Sequence, residues 1–430
     1  TIQKLIIGQI EAHIEKIVSF AEDIYYHGET GYREVRTAGK VADFFRSLQL
    51  PVEEQLAVTG VKATLNRNAP YTAALIGELD GVLSPQHPDV NPSNGIAHAC
   101  GHHIQLAALA GAALALSSPE VAKTLGANLL FFAVPAEEQV HADVREELLA
   151  QNRIRYATGK GELVRLGQFD TVDAVIVHHV HYAPIEADIL IGNNPTNGYV
   201  SKRIQIKGKA SHAAAAPEKG INALNAASLG LSAVAYQRET FRDEDRVRIH
   251  AVIEKGGVAV NVVPEDVVIE AMVRGRTMQA IKDASQKVDR AFKGSAYALG
   301  AKAEIRDMAG YLPVVAQAPQ RPLCEAAEAL GNRFEKAPTG HNPLSTDVGD
   351  LSQMMPVLGF TTGGCTGTLH GADFRVQNLK QSCLLAAKMM ALTAYSLVKN
   401  QGEALKKIKQ NYHPQLSKTE YLDYMEHAFH

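Results

Sequence analysis

The sequence predicts an α/β fold: a mostly parallel central sheet flanked by helices, with an inserted ferredoxin-like (βαββαβ) domain. Three observations lead there. Apolar runs that end in TAALIGELDG, NLLFFAVPAEE and DAVIVHHV read as interior strands separated by helical segments. From about residue 199 the pattern becomes strand, helix, strand, strand, helix, strand within about 110 residues, the split-βαβ order. Beyond Pro313 the chain returns to helices, one short strand near VLGFTTGG and a long helix over about 378–399.

The elements follow from their periodicities. Leu5, Ile6, Ile10, Ile14, Ile17, Val18, Ala21 and Ile24 recur at helical spacing between Glu and Lys, so the N-terminus is an amphipathic surface helix. A second helix covers roughly 35–49, and short β-rich stretches follow. The Pro-punctuated loop SPQHPDVNPSNG leads into HACGHHIQ and the helix LAALAGAALAL. In the insert, SKRIQIKG, VRIHAVIE, EDVVIEAMVRG and AKAEIRD are strands, whereas INALNAASLGLSAVAYQRE and IKDASQKVDRAFKGSAYAL are helices. The expected division is 1–190 with 309–430 as a discontinuous α/β domain, and 191–308 as the insert.

At 430 residues, 46% hydrophobic and 21% charged, the chain is globular and long enough for two domains. A formal net charge of −3 argues against a protein built to neutralise phosphates, so nucleic acid is not an expected partner. The first helix lacks the unbroken apolar core of a signal peptide, and no run of 18 apolar residues predicts a membrane span. Cys100, Cys324, Cys365 and Cys383 form no C-x-x-C pair, and a cytoplasmic setting is expected.

Seventeen histidines are the compositional oddity, and six fall in two short windows. His98, Cys100, His102 and His103 surround Gly101, so thiolate and imidazole could converge on a metal ion from one loop. Glu137 and Glu138 end an apolar strand; adjacent side chains diverge, so one carboxylate could ligate while the other moves protons. His178, His179 and His181 end another strand, and His370 lies in GTLHGADF. Reactive groups in open α/β sheets collect at the carboxyl ends of strands, so these groups should share one edge. Together they suffice for two metal ions sharing a water, which is hydrolysis without a protein nucleophile. Neither a G-x-S-x-G elbow nor a Walker motif is present.

HACGH before a small-residue helix, VPAEE, the strand-end histidine, GKASHAAAAPEKGINALNA, GGVAVNVVPEDVVIEAMVR and LHGADF occur in one order. In these the chain resembles the dimetal aminoacylase and carboxypeptidase-type amidohydrolases of metallopeptidase family twenty. STDVGDLS at 345–352 is similar to the aminobenzoyl-glutamate utilisation branch. The resemblance implies cleavage of the amide of an N-acyl or N-aroyl amino acid by a metal-bridged water with a Glu general base. It makes Cys100, His102, Glu138, His179 and His370 the ligands of two divalent ions, zinc or manganese, with cobalt or nickel as alternatives. Glu137 becomes the acid/base, and His212 an oxyanion contact reaching into a partner subunit. Asn261 and Arg274 become holders of the substrate carboxylate. The insert becomes a lid and dimerisation domain, in a homodimer or in a hetero-oligomer with a related subunit. A dipeptidase or carboxypeptidase of the same family, and a non-catalytic subunit retaining the fold, are the alternatives. Asp80 in GELDGV is an expected partner that orients a ligand. His103 stands where the family usually has Asp or Asn, so its part in orienting the centre is open. Counting back from Pro184 would select His181 as ligand, whereas strand register selects His179, the preferred choice.

Overall fold

The structure is a computed structural model and describes residues 1–138, 140–181 and 186–429. It divides into two compact units: 1–194, 316–339 and 351–415 form the first, and 195–315, 340–350 and 416–430 the second. Segments 340–350 and 416–430 therefore leave the sheet domain to which the sequence pattern assigned them. Tyr421, on the helix Lys418–His427, shows why: it is fully buried and its hydroxyl donates to Asp350 at 2.6 Å.

The first unit is built on an eight-stranded sheet. Across it run Val52–Leu56, Gly60–Leu65, Asn128–Val134, Thr72–Glu78, Ala174–Val180, Val357–Thr362, Ile189–Ile191 and Phe334–Lys336. The four central strands, Asn128–Val134 to Val357–Thr362, pair in parallel; Gly60–Leu65 and Ile189–Ile191 join them antiparallel. Every residue of Thr72–Glu78 is buried, which accounts for a strand apolar throughout instead of alternating. The helix His102–Leu116, also buried along its whole length, covers this strand and packs against the helix Leu379–Asn411.

Two details sharpen the sequence expectations. The N-terminal helix is two helices, Ile2–Ala12 and Ile14–Tyr25, broken at His13, whose ring Nδ1 lies 2.8 Å from the carbonyl oxygen of Gln9. The helix Leu379–Asn411 loses helical geometry from Lys399 to Gly402, so its first part ends where the sequence placed it. That helix is long and apolar enough to cross a membrane, but 72% of its apolar window is buried in the core, as expected of a central helix.

The second unit has a four-stranded sheet in the order Arg248–Lys255, Asp266–Gly275, Gly198–Lys207, Lys302–Ala309, with every neighbour antiparallel. The helices Ala223–Tyr236 and Met278–Ala298 pack on it, contributing Ala226, Ala227, Ile281 and Phe292 to a core of its own. Lys202, fully buried, pairs with Asp289 at 2.7 Å and Asp307 at 2.8 Å, tying the second helix to an edge strand. The other edge strand, Arg248–Lys255, exposes Val252 and Ile253.

Candidate metal centre

Strand ends of the first unit bring the chemistry together. The loop Ala97 to Gly101 feeds the helix His102–Leu116 through Gly101, which has φ +81°, a left-handed conformation natural to glycine. An added Cβ there would stand 2.5 Å from Val180 Cγ2, so this loop packs directly on the end of strand Ala174–Val180. Cys100 Sγ consequently lies 3.4 Å from His179 Nε2. His370 arrives from a separate loop, with φ +64°. Its N–H donates to the carbonyl oxygen of Ala99 at 2.9 Å, which sets the ring beside Cys100's loop.

Two triads overlap at Cys100, and a third joins Glu78, His102 and Glu137. Cys100, His102 and His179 place their ligand atoms within 4.8 Å of one another, and so do Cys100, Glu138 and His370. The Cys100 sulfur is common to both. His370 Nε2 is 3.1 Å from Glu138 Oε1. Donors bonded to one ion at about 2.0–2.3 Å stand roughly 3–3.5 Å apart, so both pairs have the separation of co-ligands.

The test of fit is hydrogen bonding. Glu78 Oε2, Asp80 Oδ1, His102 Nε2 and Glu138 Oε1 are buried and have no hydrogen-bond partner. Buried polar atoms are seldom left this way, and four around one spot mark a place for a cation. His102 Nδ1 lies 2.7 Å from the carbonyl oxygen of Asp80, which requires Nδ1–H and leaves Nε2 as the lone-pair donor. Without a metal ion the electrostatics favour a second proton on that ring. Burial pulls His102 down, yet Glu78, Cys100 and Asp80 outweigh it and hold the imidazole well above its ordinary range. Burial, then the Glu138 carboxylate, push the Cys100 thiol well up, the state from which a bound cation would release a proton. Soft thiolate, imidazoles and carboxylate together suit a divalent transition ion.

The Glu137–Glu138 turn is held at three points. The Ala136 N–H donates to Glu34 Oε1 at 2.8 Å, and the Gly159 N–H donates to the Ala136 carbonyl at 3.0 Å. The Glu138 N–H donates to Asp80 Oδ2 at 2.8 Å. Ala136 itself has φ +49°, a left-handed conformation that costs an alanine about 1–2 kcal/mol and persists because the surroundings impose it. Glu137 Oε2 lies 3.8 Å from His102 Nε2, outside the two triads that share Cys100 and within the third.

Other candidates have different surroundings. His181, the alternative to His179, lies beyond the last strand residue, Val180; its Nδ1 is 3.0 Å from Thr361 Oγ1 and it belongs to neither triad. Pro184, on which the alternative rested, lies outside the described residues. His178 faces the other side and contacts Thr362 Oγ1 at 2.7 Å. His103 is fully buried against Tyr25 and His98, with both ring nitrogens unpartnered, so it orients no ligand; Asp80 holds His102 and Glu138 instead. His212, Asn261 and Arg274 belong to the second unit. There His212 Nδ1 accepts the N–H groups of Ala214 and Ala215 at 3.2 and 3.0 Å, leaving the exposed Nε2–H to donate. The Asn261 carbonyl accepts from the Ala213 N–H at 3.0 Å, and Arg274 Nη1 donates to Ser345 Oγ at 3.1 Å over the Tyr199 ring.

Sequence reasoning passed over Glu34, Glu78 and Lys160. Glu78 had a visible signal, an acid closing the otherwise apolar run TAALIGE on the same strand side as Asp80. Glu34 and Lys160 sit in segments without a periodicity that marks them.

Comparison with known proteins adds relatives. The sequence model of Peptidase family M20/M25/M40 matches residues 74–396. The chain is 26% identical to the mouse (Mus musculus) Xaa-Arg dipeptidase over 411 residues, 91% of this chain and 87% of that one. It is 27% identical to one of the subunits of the p-aminobenzoyl-glutamate hydrolase of Escherichia coli over 73% of this chain, spanning 62% of that relative's length. Among solved structures, a putative aminohydrolase from methicillin-resistant Staphylococcus aureus shares the fold with a TM-score of 0.73 at 19% identity, covering 92% of this chain and 100% of that one. A dinuclear metal-binding M20 peptidase from Bacillus subtilis matches with a TM-score of 0.66 at 22% identity, covering 89% and 98%.

Proposed function

The chain belongs to peptidase family M20/M25/M40 and is a metal-dependent amidohydrolase; from that premise we propose that it cleaves the amide joining an acyl or aroyl group to an amino acid with a free carboxylate. Aminobenzoyl-glutamate is the representative substrate. One observation carries the reading: the two triads sharing Cys100, with Glu137 beside them and outside both. Two divalent cations, when bound, supply a water of lowered pKa and an electrophile for the carbonyl. Zinc or manganese suits the donor set, with cobalt and nickel as alternatives.

Cys100, His102, Glu138, His179 and His370 would hold the ions. Glu137 would take the water's proton and deliver it to the leaving nitrogen, a role that its place beside the two triads sharing Cys100 supports. His212 offers Nε2–H to a developing oxyanion, because its Nδ1 is engaged by two main-chain N–H groups. Asn261 and Arg274 would hold the substrate carboxylate, and the guanidinium's fork geometry suits that task. The second unit would act as a ferredoxin-like lid and dimerisation domain in a homodimer, its exposed edge strand Arg248–Lys255 being open to pairing. The Escherichia coli relative, itself one subunit of a hydrolase, supports a hetero-oligomer as the alternative. The four unpaired cysteines fit a cytoplasmic setting.

A second reading, dipeptidase activity on peptides with a free amine, is favoured by the relatives called Xaa-Arg dipeptidase from mouse and human. Metal analysis of the purified protein, followed by assays on aminobenzoyl-glutamate, N-acyl amino acids and Xaa-Arg dipeptides, separates the two readings. A chain that binds no metal on titration and cleaves none of them would be a non-catalytic relative.

A further inference from the structure

A buried acid and a buried base lie beside the centre and outside the family's ligand set. Glu78 is 5% exposed, and Lys160 is fully enclosed. Lys160 Nζ lies 2.7 Å from Glu78 Oε1. A buried pair of this kind loses several kcal/mol of hydration per ion, and such a pair is weak evidence of a stabilising device. Its geometry suggests another use. The second oxygen, Oε2, lies 3.1 Å from His102 Nε2 and makes no hydrogen bond with it or with any other group.

With Nδ1 engaged by the Asp80 carbonyl, Nε2 is the ring atom left to ligate. A carboxylate oxygen and a ring nitrogen 3.1 Å apart need a positive charge between them, which a metal ion supplies when bound and the second imidazole proton supplies without it. Donors to one ion at about 2.0–2.2 Å stand about 2.9–3.5 Å apart, and the observed separation lies in that interval. Glu78, His102 and Glu137 also place ligand atoms within 4.8 Å of one another.

The geometry points to Glu78 as a sixth protein ligand, bound through Oε2 to the ion that His102 holds, with Lys160 as the positioning residue that occupies Oε1 and keeps the carboxylate monodentate. The proposal rests on the centre being a metal site. Glu78 is fixed for this role at both ends: its main-chain N–H donates to Gln105 Oε1 at 3.1 Å, and Lys160 holds its side chain. Lys160 also offsets negative charge where a thiolate and the carboxylates of Glu78, Asp80, Glu137 and Glu138 would otherwise crowd together.

The test is zinc binding by the full chain, read in two ways. Anomalous diffraction from zinc-loaded wild-type crystals should place an ion about 2.0–2.2 Å from Glu78 Oε2. In solution, zinc competition titration should show one of two ions bound at least ~100-fold more weakly in Glu78→Gln, a loss beyond the usual cost of an outer partner. Should that variant leave Lys160 too poorly paired to fold, Glu78→Gln combined with Lys160→Met removes both charges and should show the same loss. An ion more than about 2.5 Å from Oε2, or unchanged affinity in a folded variant, overturns the ligand assignment and leaves the function reading standing. Wild-type protein that takes up no zinc, manganese, cobalt or nickel overturns both.

Discussion

Asp80 accepts the Glu138 main-chain N–H on Oδ2 at 2.8 Å, while its own carbonyl oxygen lies 2.7 Å from His102 Nδ1. One residue thus contacts a candidate ligand of each triad. Asp80→Ala removes the side-chain half of this support. It should weaken metal binding about 10- to 100-fold, read by competition titration, as is usual for partners that orient ligands. Unchanged affinity would show that the turn at Glu138 holds without it.

Glu137 stands outside the two triads that share Cys100, so with those triads as the main ligand set its removal should separate chemistry from metal binding. Glu137→Ala should keep the metal content of the wild type and lower kcat by about 10²- to 10⁴-fold. Metal analysis and steady-state kinetics on one sample check both halves. Undiminished turnover would assign the proton to another group.

Gly159 abuts the carboxylate turn so closely that an added Cβ would stand 1.6 Å from the Pro135 carbonyl oxygen. Gly159→Ala should therefore destabilise the fold by about 1–3 kcal/mol in urea titration and lower activity with it. Gly8, on the helix Ile2–Ala12 with nothing within 4 Å, is the control. Gly8→Ala should stabilise by up to about 1 kcal/mol.

Glu34 carries a pH dependence. Burial, and secondarily the Asp80 charge, push its carboxyl from the ordinary 4.5 up to about 8, against hydrogen bonds from Thr59 and Ala136. A pKa raised on folding stabilises the protein fully below the unfolded value, and that contribution is lost as pH rises through the folded value. Melting temperatures of wild type and Glu34→Gln should diverge between about pH 5 and pH 8, the Gln variant gaining relative to wild type as pH rises. A difference that does not vary with pH would mean the carboxyl is not held neutral.

The α/β layer was legible because its strands are buried on both faces and so read as unbroken apolar runs; Thr72–Glu78 and Asn128–Val134 carry that signature. The four strands and two helices of the second unit were legible from alternation, as in Gly198–Lys207. The reach of segments 340–350 and 416–430 was not, because Tyr421 contacts Asp350 across a long stretch of chain and local periodicity carries no such information. The histidine windows pointed to the cluster, in which His179 lies beside Cys100 whereas His181 lies beside Thr361. The supports could not be read in the same way. Glu34 acts through an N–H on a remote loop, and Lys160 through a carboxylate 82 residues earlier.

Metal-dependent amide cleavage at this centre is open to a single assay. Release of p-aminobenzoate from aminobenzoyl-glutamate would be followed in the metal-free protein, in the same protein reconstituted with zinc or manganese, and in reconstituted Glu137→Ala. Turnover is expected in the reconstituted wild type alone. Equal release by the metal-free protein or by Glu137→Ala would contradict metal-dependent cleavage with Glu137 as the base.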